Sequence, residues 1–123
     1  RIEARTMVEM ARKQLLPAGL DYLDKLCKSI ATKNEIGITA NTERKIAEKL
    51  TQLSDGLYES INRLEKLIAD ACAIEEVQKQ AEFYHDYVFA EMNIMREIAD
   101  EMEVNMPLDS WPIPTYSEII YNV

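Results

Sequence analysis

Glycine and proline are scarce in this chain: three and four residues respectively among 123, and two of the prolines lie in the last dozen positions. Long stretches therefore run without a backbone breaker, which favours helix over a turn-rich β architecture. Cysteine occurs twice, at Cys27 and Cys72, with no CxxC spacing, which argues against a zinc or dithiol redox site. Both fall at apolar helical positions, and the expectation is two buried, reduced thiols. No apolar run approaches the roughly 20 residues that cross a bilayer, and no signal-peptide pattern opens the chain. A basic surface is also missing: the net charge is -8, which argues against nucleic acid as a partner.

What is present is ordinary for a globular protein that can bury a core: 47% hydrophobic and 29% charged residues. Apolar residues recur at helical spacing along three stretches. The first, from about Ile2 to about Thr32, carries Leu16, Leu20, Leu23, Cys27 and Ile30, with a bend expected at Pro17. The segment Asn34 to Asn41 reads as a loop around Gly37, with Asn41 or Thr42 as the next N-cap. A second stretch carries Ile46, Leu50, Leu53, Leu57, Ile61, Leu64, Ile68 and Ala71 in steps of three and four, close to a heptad seam. After a tight connection near Asp70 to Ile74, a third carries Val77, Ala81, Tyr84, Val88, Met92, Met95, Ile98 and Met102. The pattern stops after Val104.

These readings predict an all-α fold: an antiparallel three-helix bundle of long helices with an irregular C-terminal tail. The bundle spans residues 1–104 and the tail spans 105–123, laid across the bundle with Trp111 as anchor. Ser117 would cap a last short turn.

Few residues invite chemistry. The single histidine, His85, follows Glu82 at the Glu-x-x-His spacing of carboxylate-bridged metal bundles, but those need a second such pair, and a chain with one histidine cannot supply it. As a phosphotransfer histidine it would have Asp86 beside it, repelling phosphate. His85 is therefore expected at the surface or at the bundle edge beside Tyr84. Glu75 and Glu76 suit the start of a helix. The acidic group of Asp100, Glu101 and Glu103 stands at a helix C-terminus, the electrostatically wrong end. No catalytic residue, cofactor-binding residue or metal ligand is assigned. Trp111, Tyr116, Tyr84, Met92 and Met95 are the candidate tail anchor or contact surface, because aromatic and methionine side chains adapt well to partners.

The two ends carry a more specific signal. The opening Arg1-Ile2-Glu3-Ala4-Arg5-Thr6-Met7-Val8-Glu9-Met10-Ala11-Arg12-Lys13-Gln14-Leu15-Leu16-Pro17-Ala18 and the closing Trp111-Pro112-Ile113-Pro114-Thr115-Tyr116-Ser117-Glu118-Ile119-Ile120-Tyr121-Asn122-Val123 resemble the C-terminal region of type III glutamine synthetase, the large bacterial form. The intervening segment from Ala81 to Met92 is similar to that family's third helix. The resemblance implies that residues 1–18 form a junction helix from a catalytic domain upstream, and the want of an initiator Met before Arg1 fits that expectation. It further implies a cytoplasmic parent enzyme that makes glutamine from glutamate, ammonia and ATP with divalent magnesium or manganese. The implied partners are the catalytic domain of the same polypeptide and neighbouring subunits of a homo-oligomer. No position here matches the family's metal, nucleotide or glutamate motifs, so this stretch is expected to be inactive alone. The reading from another class is a stand-alone helical-bundle interaction module.

Overall fold

The computed structural model describes residues 3–112, and within them every regular element is helical. Three helices run antiparallel in sequence order, up, down and up. The first covers 4–35, the second is Asn41–Cys72, and the third covers 77–104. A single 3-10 turn, Leu108–Ser110, follows. The all-α bundle expected from the sequence is therefore present. Cross-helix contacts fix the direction: Arg12 meets Glu65, Lys33 meets Glu43, and Ser60 meets Glu91.

The second helix is the most regular, and it lies between the other two. Its seam reads as the apolar steps predicted, with Leu50, Leu57, Ile61, Leu64 and Ala71 sealed from solvent. Ile46 and Leu53 are half-buried at the edges, and Ala47, Ser54 and Ser60 complete the buried stripe. The helix begins at Asn41 with Ala40 as its cap, and no side chain bonds the first turn, so Asn41 and Thr42 do not cap as expected.

The outer helices depart from the simple 3.6-residue reading. Each contains one π turn, Ala11–Leu15 in the first and Tyr84–Val88 in the third. Leu16 N–H donates to Ala11 carbonyl and Phe89 N–H donates to Tyr84 carbonyl, each a step of five residues. Pro17, where a bend was expected, stands just after the first of these π turns. Proline lacks the N–H that would bond Lys13 carbonyl, and the widened turn just before it accommodates the lost ladder bond.

A π turn inserts one residue into the helical register and rotates the apolar face. In the third helix that rotation separates the predicted stripe before the π turn from the buried face after it. In the first helix the predicted stripe lies wholly after the π turn, within regular helix, and the buried face is the three-and-four repeat one residue earlier. In the first helix Leu15, Gly19 and Leu26 are buried, while Leu20 is half exposed and Cys27 is exposed. In the third helix Val88, Met95, Ala99 and Met102 are buried, while Val77 and Ala81 stand in solvent ahead of the π turn. Cys72 also is exposed, as the last residue of the second helix, so the expectation of two buried thiols fails for both cysteines.

Glycine matters at two places. Gly37 has φ +76, and Ile38 N–H bonds Lys33 carbonyl while Gly37 N–H bonds Asn34 carbonyl. That is a Schellman ending, which needs a left-handed residue at this position. Gly19 marks the tightest approach: a Cβ there would come 2.5 Å from Met102 Cε. Gly56, within the second helix, has ordinary room, with Ile98 Cδ1 3.6 Å from a would-be Cβ.

Candidate contact surface

The one buried charged side chain among the described residues is Glu91, 6% exposed, in the third helix. Ser60 Oγ donates to its Oε2 at 2.6 Å, and Arg63 donates from Nε at 3.0 Å and Nη2 at 3.2 Å. The carboxylate thus accepts from three donors on the second helix, which offsets the cost of taking it out of water. The hydrogen bond from Glu91 holds the Arg63 guanidinium pKa above its ordinary value. Burial of a carboxylate at a helix–helix seam was not foreseen. The signal available was that Glu91 and Ser60 both sit one step from seam positions on facing helices.

A second pair, Arg12 with Glu65, is bidentate, both N–O distances being 2.8 Å. It joins the first helix to the second, and the hydrogen bond from Arg12 holds the Glu65 carboxyl below the ordinary glutamate value. Glu43 is lowered in the same way by its hydrogen bond from Lys33. These arrangements clamp helices together; none of them presents a nucleophile or an open ligand position.

His85 is exposed, with Nδ1 3.2 Å from Asp86 Oδ1. Glu82 lies near Gln78 instead. Among the described residues no three His, Cys, Asp or Glu side chains gather as metal ligands. Nor is any described helix long and apolar enough to cross a membrane. An open groove of about 660 Å³ runs between the first helix and the 3-10 turn, lined by Pro17, Leu20, Asp21, Asp24, Lys25 and Asp109 among others. It is shallow and charged, unlike the enclosed apolar pockets that hold small molecules.

The candidate contact residues fall in different settings. Trp111 is buried, 6% exposed, within the same core cluster as Leu15 and Met102, and its Nε1 finds no partner among the described residues. Met95 is fully buried, whereas Met92 and Tyr84 are half-buried against the core. Tyr84 meets Phe89 edge-on at 6.1 Å, and Phe83 meets Tyr87 at 4.9 Å. Tyr87 remains 55% exposed. Tyr116 and Ser117 lie outside the described residues, as does most of the tail.

Similarity to known proteins supplies what this geometry does not. A glutamine synthetase of Butyrivibrio fibrisolvens is 29% identical across 99% of this chain. The type-3 glutamine synthetase of Dictyostelium discoideum is 26% identical across 98%. A glutamine synthetase of Bacteroides fragilis is 20% identical across 98%. The resemblance to type III glutamine synthetase holds. The chain spans only 18%, 17% and 17% of those relatives' lengths, so it corresponds to a small segment of each. No family model matches the chain, and no solved structure matches it significantly.

Proposed function

We propose that the chain is the non-catalytic C-terminal helical domain of a type III glutamine synthetase, with a structural or subunit-contact role. Its parent would be a cytoplasmic enzyme making glutamine from glutamate, ammonia and ATP with a divalent metal bound elsewhere in the polypeptide. The carrying observation is similarity over nearly the whole chain to a segment amounting to less than a fifth of each relative. The side-chain inventory supports it. The polar residues brought together, Arg12–Glu65 and Ser60–Glu91–Arg63, are paired with each other across helices rather than aimed at an open site.

In this reading the first helix would connect to the catalytic domain, and the aromatic flank of the third helix would be available to a neighbouring subunit. The purified chain should show no ATP-dependent glutamine formation and no γ-glutamyl transfer. Turnover that scales with protein would refute the non-catalytic assignment. The DNA upstream of the Arg1 codon gives an independent test: an in-frame glutamine synthetase catalytic domain is expected, and a start codon there would favour a stand-alone interaction module.

A further inference from the structure

The third helix stops short of the hairpin made by the first two. Gly56 stands across from Ile98. Because these helices are antiparallel, Val104, six residues on, lies level with about position 50 of the second helix. The remaining turns of that helix, with the end of the first, project about 14 Å further at 1.5 Å per residue. Ile30 and Ile46 in this projection are half-buried. The tip is held rigid by the Gly37 turn and presents Ile36 at 68% and Ile38 at 51% exposure. Below the step, Val104 and Leu108 are 78% and 79% exposed.

Charge divides along the same step. With Asp24, which pairs with Lys28 at 3.0 Å, residues 24–49 hold six Lys or Arg against four Asp or Glu, a net of +2. With Arg96, whose charge acts on Asp100, residues 96–109 hold five Asp or Glu against one Arg, a net of -4. A projecting basic, apolar finger therefore stands beside an acidic, apolar ledge. A surface carrying both halves of a complementary pair can match itself across a two-fold axis.

We propose that this end of the bundle is a self-docking surface, in which the 24–49 finger of each copy lies on the acidic 96–109 ledge of a second copy of the chain. The inference rests on the subunit-contact role above and adds to the aromatic flank of the third helix a second surface, at the opposite end of the bundle. The acidic residues at the wrong end of the third helix then have a use: they face the partner's lysines and arginines.

Sedimentation equilibrium on the 123-residue chain tests this. A dimer of the 14.2 kDa chain is expected, with a dissociation constant that rises about tenfold or more between roughly 0.05 and 0.5 M salt. Ile36→Glu with Ile38→Glu should yield monomer with an unchanged helical circular dichroism spectrum. Reversing Arg44 and Lys45 to Glu should also yield monomer, and further reversing Glu101 and Glu103 to Lys should restore the dimer. A chain that stays monomeric at every accessible concentration overturns the proposal. So does a dimer indifferent to these changes, or one that forms only when residues 113–123 are deleted, which would make the chain's own end the occupant. Each of these failures leaves the reading-frame test of the accessory-domain assignment untouched.

Discussion

Ser60 Oγ donates to Glu91 Oε2 at 2.6 Å inside the bundle, with both side chains withdrawn from solvent. The bond ties the second helix to the third at one register, because sliding either helix by a turn would leave a hydroxyl and a carboxylate buried without partners. Arg63, half exposed, closes the carboxylate's other side.

Glu91→Ala should therefore cost about 2–3 kcal/mol, since it strands the Ser60 hydroxyl and removes the Arg63 pair. Glu91→Leu combined with Ser60→Ala should recover most of that loss, because the seam is then apolar on both sides. Urea unfolding of the three variants decides it. A double variant no better than Glu91→Ala would mean that the polar pair contributes more than its register.

Leu57→Ala and Leu64→Ala each open a cavity at a fully sealed position and should cost about 2–5 kcal/mol. His85→Ala removes an exposed ring and should cost within about 0.5 kcal/mol. Denaturant midpoints that rank His85→Ala beside the leucine variants would contradict the helical register described here.

The π turns make an unusual deletion tolerable. Removing exposed Asp86 from the Tyr84–Val88 turn converts a five-residue step into the ordinary four and leaves the flanking faces in register. Removing Glu97 from regular helix rotates everything after it by about 100° and turns Ala99 and Met102 out of the core. Thermal melts should show the first deletion folded and the second grossly destabilised or unfolded.

Acid should loosen the hairpin. The hydrogen bonds from Lys33 and Arg12 hold the Glu43 and Glu65 carboxyls below their ordinary value of 4.5. A carboxyl depressed in the folded state contributes stability above its unfolded value, and that stability is lost as pH falls through the folded one. Asp100 is raised by burial and works in the opposite sense, favouring the fold when protonated and losing that preference as pH rises through its folded value. With two depressed carboxyls against one raised, melting temperature should fall as pH drops below about 4.5. Arg12→Gln should flatten the fall, and an unchanged acid profile in that variant would contradict the Glu65 pairing.

Trp111 is the sole tryptophan, and its burial predicts a blue-shifted native emission that moves red on unfolding. Emission already at the exposed position in native buffer would contradict its place in the core.

The second helix was legible almost residue by residue, because a straight helix packed on both sides shows its buried face as an unbroken three-and-four repeat. Leu50, Leu57, Ile61 and Leu64 needed nothing more. The outer helices were legible in existence but not in face. Periodicity assumes a constant turn, and a single π residue breaks that assumption without leaving a mark in hydropathy. Val77 and Ala81 were misplaced for that reason, since the π turn separates them from Val88. Leu20 and Cys27 lie in regular helix, where two adjacent apolar stripes, one through Leu16 and one through Leu15, both fit the three-and-four spacing and only packing chose the second. Glu91 stands three residues after Val88 and four before Met95, on the buried face, and escaped notice because an acidic side chain carries no hydropathy signal for burial.

The sequence by itself determined the helices, the Gly37 turn between the first two and the likeness to a segment of glutamine synthetase, since each depends on local spacing or on matched residues. Tertiary structure alone decided which residues of the outer helices face inward, that Ser60 and Glu91 meet, and that the hairpin projects past the third helix. Those outcomes depend on how far each helix is rotated and slid against its neighbours, and that is set by packing between segments distant in the chain.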